Sequence, residues 1–195
     1  MKPMCVFSAD VERALHVAFE AHAGQQRKAA GVPYVTHPVQ VALMLARVGA
    51  DEVTLQAALL HDVVEDCEGW TLERLRSEVG DEVRDTVEPL TEVKGGTWRD
   101  RKEAALSLVP SMSLRSAAVK AADKTHNMRS LWRSLEGAQD SAEVWRHFSR
   151  GPEETIGFAE RLVGALCNRL EGEAPFGDLV TALRGAFDDL AKYRT

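Results

Sequence analysis

An all-α fold is what this sequence predicts. Apolar residues recur three and four positions apart through most of its 195 residues, helix-starting residues precede those stretches, and no alternation of period two persists. Val11, Leu15 and Ala18 share one face, with Ser8 placed as N-cap and Asp10 and Glu12 in the first turn, so a first helix runs to about Gly24. After the polar segment 25–34, Pro38 reads as the first residue of a second helix, with Val41, Leu45 and Val48 on the buried stripe and Gly49 closing it. Asp51 caps a third, in which Val53, Ala57, Leu60 and Val64 repeat until Cys67 to Trp70 breaks the pattern. Two short helices, 71–79 and 81–90, are split by Gly80, and the polar stretch Thr91 to Lys102 with Gly95-Gly96 reads as a loop. A long helix covers 114–135. Two or three more follow, one started by Pro152 with Glu153 and Glu154 in its first turn. With no repeat or linker composition in between, residues 1–195 read as one domain: a motif-bearing core of about 9–135 and C-terminal helices at about 140–193 packed on it.

Composition narrows the function. A net charge of −6 and a pI near 5.6 leave no phosphate-neutralising surplus, which argues against a nucleic-acid coat or an anionic membrane as partner. Cys5, Cys67 and Cys167 are odd in number and far apart, which suggests neither a disulfide framework nor a thiolate zinc site and fits a reducing cytoplasm. Residues 1–10 lack a signal-peptide apolar core, and no run approaches the roughly 18 apolar residues of a membrane span. The expected protein is cytoplasmic, with a small molecule as partner and an oligomeric state left open.

Chemistry is concentrated around His61-Asp62 in an otherwise apolar helix. An imidazole and a carboxylate facing a core need hydrogen-bonded partners or a metal. Glu65 and Asp66 follow one turn later, and on a continuous helix the four would span roughly 140° of surface. Three carboxylates and an imidazole on one face repel unless a cation, protonation or solvent relieves them, which points to a hard divalent ion. His37 precedes Pro38 at a helix start, and Asp123 and Asn127 are one turn apart in the run 119–129, completing an H…HD…D set.

These motifs resemble the hydrolase domain of RelA/SpoT-type alarmone enzymes. The matching runs are AHAGQQRK (21–28), GVPYVTHP (31–38), AALLHDVVED (57–66) and ADKTHNMR (122–129), in the same order and covering roughly residues 9–135. With neither synthetase nor regulatory region present, the chain is most similar to the single-domain small alarmone hydrolases of the metazoan SpoT-homologue type. The resemblance implies an HD-superfamily helical domain that hydrolyses guanosine 3′,5′-bis(diphosphate), ppGpp, or its pentaphosphate to GDP or GTP and pyrophosphate. It further implies that His37, His61, Asp62 and Asp123 bind a divalent metal, usually Mn²⁺, and leave coordination positions open to water and a phosphate oxygen. Glu65 and Asp66 are then the catalytic pair that activates or orients the attacking water. Asn127 would hold ribose or phosphate, Arg27 and Lys28 the base and its phosphates, and Tyr34 and Trp98 would offer aromatic faces.

Looser expectations surround this set. Lys94 and Arg99, with Trp98, Arg101 and Lys102, could cover a polyphosphate, or Arg101 and Lys102 could begin a surface helix. His22 and His126 fall inside the matched runs without being ligands in the family pattern, which suits hydrogen-bonded structural histidines. Thr36, Cys67 and Thr125 stand where related sequences more often carry other residues. Two alternatives remain at this point: an HD phosphatase acting on another nucleotide, such as the 2′-phosphate of NADPH or an adenosine alarmone, and a catalytically inactive nucleotide-binding module.

Overall fold

The structure is a computed structural model that describes residues 8–27, 31–92 and 95–194. Among these residues there are eleven α-helices and no strand beyond an isolated bridge between Gln26 and Pro33. Helix α1 (Ala9–Ala21) starts where Ser8 Oγ accepts the Val11 amide at 3.3 Å, as its sequence suggests. Helix α2 (Thr36–Arg47) begins two residues earlier than expected, so Pro38 is its third residue. The position costs nothing, because the first four amides of a helix have no acceptor inside it and proline merely lacks one of them. Gly49, at φ +80°, supplies the left-handed turn that ends the segment.

The expected third helix is broken. Helix α3 (Glu52–Leu60), capped by Asp51, stops at His61, Asp62 forms a turn, and α4 (Val63–Asp66) is a single further turn. His61 Nδ1 donates to the Ala58 carbonyl at 2.8 Å, competing for the acceptor that the Asp62 amide would need to continue the helix. Helices α5 (Leu72–Val79) and α6 (Asp81–Val87) flank Gly80, at φ +88°, and a 3₁₀ turn covers Glu88–Leu90. The stretch expected to be a loop through Lys102 ends at Thr97. There Thr97 Oγ1 accepts the Asp100 amide at 3.2 Å and the Asp100 carboxylate accepts the Thr97 amide at 2.9 Å, a reciprocal cap that starts α7 (Trp98–Leu108). The chain continues through α8 (Leu114–Gly137), the short α9 (Ser141–Trp145), α10 (Pro152–Leu170) with its proline first, and α11 (Gly177–Ala191).

Two helices organise the packing. Helix α3 is apolar on nearly every side, and Ala57, Ala58, Leu59 and Leu60 are all buried among α1, α2, α6 and α8. Helix α8 lies against α2 and α3 on one flank and against α10 and α11 on the other. The C-terminal helices therefore share one continuous apolar cluster with the motif-bearing segments, with Leu166, Leu170, Leu183 and Leu190 buried in it. Each such leucine contributes about 1.5–3 kcal/mol relative to exposure. Arg115 on α8 bonds Asp51 and Glu82, tying three elements at the edge of α3. No described helix is long and apolar enough to cross a membrane.

Candidate metal centre and active site

The break after α3 brings two adjacent residues, His61 and Asp62, to one point, and the start of α2 and the middle of α8 bring His37 and Asp123 to the same point. Ligand-type atoms of His37, His61 and Asp123 lie within 4.8 Å of one another, and all three residues are buried. His37 Nε2 is 3.2 Å from Asp123 Oδ1 and 3.5 Å from Asp62 Oδ2, while His61 Nε2 is 3.2 Å from Asp62 Oδ2.

The hydrogen bonding of the imidazoles tests whether this group suits a cation. His61 Nδ1 must carry its proton to donate to the Ala58 carbonyl, so Nε2, turned inward, is the nitrogen free to offer a lone pair to a metal. That nitrogen is buried with no hydrogen-bond partner among the described residues. A lone pair facing carboxylates is unfavourable unless a positive charge sits between them, so the residues fit a divalent ion. His37 Nδ1 shares a 2.7 Å hydrogen bond with His126 Nδ1. Burial and the neighbouring His37 push His126 down to about 4, which keeps it neutral and able to accept that bond. His22, by contrast, bonds Gln25 at 2.9 Å and lies 3.3 Å from Cys67 Sγ, away from the cluster.

The carboxylates divide by environment. Burial works against the charge of Asp123, yet the Lys124 ammonium at 2.9 Å holds it well below the usual carboxylate range. Burial raises Glu65, only partly offset by the Glu92 amide that donates to its Oε2 at 2.8 Å. Burial and the charge of Asp62 likewise raise Asp66. Tyr34, expected to present an aromatic face to substrate, lines the cavity beside the cluster; its hydroxyl donates to Asp62 Oδ2 at 2.7 Å, with Asp66 Oδ2 at 3.3 Å, and its ring packs on His22 at 4.8 Å.

Beside the cluster opens a cavity of about 210 Å³ whose polar wall includes Asp62, Glu65, Asp66, Asp123 and Asn127. Asn127, in the cavity wall, donates to Asp123 Oδ1 and accepts from Arg27 Nη2 at 3.2 Å, which brings Arg27 next to it. Trp98 and Arg99 are placed elsewhere. As the first residues of α7 they face α10: Trp98 packs edge-on against Phe158, and Arg99, mostly exposed, lies 3.8 Å from Glu154. Lys28 and Lys94 lie outside the described residues. Sequence reasoning missed Lys120, Glu92, Phe158 and Leu162, all lining the cavity. Lys120, three residues before Asp123 in a quoted motif, carried a usable signal; Phe158 and Leu162 reach the site only through tertiary packing of α10. A second cavity of about 200 Å³, between α2 and α8, is lined by His126, Arg129, Ser130 and Arg133.

A protein family described as the HD domain matches residues 14–151. The chain belongs to the HD domain family. Over 121 residues it is 44% identical to a guanosine-3′,5′-bis(diphosphate) 3′-pyrophosphohydrolase of Vibrio cholerae, covering 59% of this chain and 17% of that protein. It is 41% identical over 127 residues to the bifunctional (p)ppGpp synthase/hydrolase SpoT of Escherichia coli, covering 62% of this chain and 18% of that one. This HD-family chain therefore spans less than a fifth of the length of those relatives. Among solved structures, one described as a metazoan ortholog of SpoT that hydrolyses ppGpp superposes with a TM-score of 0.75 at 27% identity, covering 94% of this chain and 97% of its own. A Listeria monocytogenes protein superposes with a TM-score of 0.66 at 31% identity, covering 78% and 99%.

Proposed function

We propose that this HD-family protein hydrolyses ppGpp and its pentaphosphate at the 3′ position, releasing pyrophosphate and leaving GDP or GTP. The observation that carries the hydrolytic reading is the inward, unpartnered Nε2 of His61 among acidic groups, next to a cavity holding two more carboxylates. The choice of substrate is supported by the ppGpp hydrolysis for which the V. cholerae relative is named and by the metazoan SpoT ortholog that hydrolyses ppGpp, whose structure covers 94% of this chain.

In this reading His37, His61, Asp62 and Asp123 hold the ion. A bound divalent cation, Mn²⁺ here, supplies the positive charge that acidifies water and polarises a phosphate oxygen. Glu65 and Asp66 orient water and accept its proton, a role favoured by the raised affinity for protons that burial gives both. Water adds to the phosphorus attached to the 3′-oxygen, the bond between them breaks, and the ribose oxygen takes up a proton. Arg27 and Asn127 secure the nucleoside side. The setting is cytoplasmic, the partner is a small nucleotide, and the acidic net charge disfavours nucleic acid or membrane in its place.

The test is incubation of the Mn²⁺-loaded protein with a panel of ppGpp, an adenosine counterpart and NADPH, with products separated by chromatography. GDP and pyrophosphate from ppGpp at the highest rate are expected. Preferential release of phosphate from NADPH, or no turnover of any nucleotide, would overturn the reading.

A further inference from the structure

Three lysines line the cavity, and they are not equivalent. Lys102 is 3.1 Å from Glu92 Oε1 and Lys124 is 2.9 Å from Asp123 Oδ2, so each has a carboxylate partner. Lys120 has none. It is only 8% exposed, and among the described residues its ammonium makes neither a hydrogen bond nor an ion pair within 4.0 Å. It shares the cavity lining with apolar Leu90, Val119, Phe158 and Leu162 and with the carboxylates Glu65 and Asp123, whose charges it feels without pairing with either. A largely buried ammonium that opens only onto the cavity and has no carboxylate partner within 4.0 Å is placed to receive an anion that enters there. Burial, followed by the charge of Lys124, pushes Lys120 down to about 8, which leaves it mostly protonated at neutral pH.

Helix α8 also fixes where that anion must be. At about 1.5 Å of rise per residue, Lys120 stands roughly 4.5 Å before Asp123 along the axis, and Asn127 about 6 Å beyond it. Asp123 belongs to the cluster where the scissile phosphorus must sit, and Asn127, bonded to Arg27, lies on the nucleoside side. A group bound at Lys120 therefore continues the substrate past the reacting phosphorus, away from the ribose.

We infer that Lys120 receives the distal phosphate of the 3′-diphosphate and thereby selects a diphosphoryl ester over a monophosphoryl ester. This rests on the hydrolytic reading above. It goes further in naming which phosphate is recognised and in making Lys120 a specificity-determining residue. A monophosphate ester would place its only phosphorus at the metal cluster and leave Lys120 unsatisfied, and a site with an unpaired buried polar group discriminates strongly against the ligand that fails to fill it.

The test compares wild type with Lys120→Met and Lys120→Arg. The substrates are ppGpp and guanosine 5′-diphosphate 3′-monophosphate, and inorganic pyrophosphate and inorganic phosphate serve as binding probes by calorimetry. For Lys120→Met, kcat/KM on ppGpp should fall by about a hundredfold or more, with the 3′-monophosphate affected no more than a few-fold, and Lys120→Arg should recover part of the preference. Pyrophosphate binding should weaken at least tenfold and phosphate binding little. Metal content should be unchanged and the thermal midpoint unchanged or higher, because a buried charge has been removed. Equal losses on both substrates, or a lowered midpoint with metal loss, would overturn the inference and leave Lys120 a structural residue. If wild type turns over neither nucleotide, the function proposed above fails, while a Lys120-dependent difference between pyrophosphate and phosphate binding would still support the subsite.

Discussion

Of the three segments that feed the candidate metal centre, two do so by opposite means. The first, α3 and α4, is a helix that breaks. At its break His61 and Asp62, which successive helical positions would send about 100° apart, both reach one point. The second, α8, runs unbroken through 24 residues and presents Lys120, Asp123 and Asn127 at successive turns. A break concentrates donors on a single ion; an intact helix spreads contacts along a substrate at regular intervals. In the proposed reading the break gives the ion two donors from adjacent residues, while α8 gives it one, Asp123, and turns Lys120 and Asn127 toward the nucleotide on either side.

The largest effect should come from the break itself. His61→Ala or Asp62→Ala should reduce turnover of ppGpp below detection, because each removes a donor no neighbour can replace. The helical circular dichroism should persist, since Leu60 and Val63 on either side of the break keep the core contacts. Metal content measured by emission spectroscopy should drop with activity, and added Mn²⁺ should raise the thermal midpoint of the wild type more than that of either variant. Retained metal with lost activity would move the two residues from holding the ion to handling the substrate.

A smaller effect is expected one turn further on, where the chain is helical again. Glu65→Gln and Asp66→Asn should each lower kcat by about a hundredfold, the scale of lost acid–base assistance, with metal content held. Glu65 is fixed by the Glu92 amide and Asp66 faces Tyr34, so each carboxylate has one oxygen engaged. The amide side chains keep shape but not basicity. Full turnover in both variants would show that neither carboxylate handles the proton, whereas loss of metal would make them ligands.

Much of this arrangement was legible in the sequence, and the failures have physical causes. Helical periodicity located α1, α8 and α10; the caps Ser8 and Asp51 stand where local hydrogen bonding places them, and Pro152 opens α10 as its first residue. His37, His61, Asp62 and Asp123 could be grouped because the motifs that carry them resemble those of a known family, whereas the single helix face expected for His61, Asp62, Glu65 and Asp66 is broken between α3 and α4. Periodicity cannot register a break made by one side chain bonding one carbonyl, as His61 does with Ala58. Helix α7 was taken for loop because Gly95-Gly96 dominated the reading, although Thr97-x-x-Asp100 spelled a cap. Trp98 and Arg99 were placed with the substrate by composition, and helix geometry turns them toward α10. No local pattern could have shown Phe158 at the cavity, since its position depends on how α10 docks onto α8.

The subtlest expected effect separates the two imidazoles of the centre. His61 is oriented by a main-chain carbonyl, which no substitution can delete, but His37 is oriented by a side chain, His126. Neutral His126 can accept the Nδ1 proton of His37, which fixes the tautomer that points the His37 Nε2 lone pair at Asp62 and Asp123. His126→Ala should therefore weaken metal binding by about 10- to 100-fold, the usual cost of losing a group that orients a ligand. Activity should return at saturating Mn²⁺, unlike that of His61→Ala. His126→Asn is the sharper variant, because its amide oxygen can occupy nearly the position of the imidazole Nδ1 and accept the same proton. If Asn restores metal affinity and Ala does not, the hydrogen bond is what matters. If both variants lose affinity equally, His126 acts through the packing of its ring against His37, whose centroid lies 4.9 Å away.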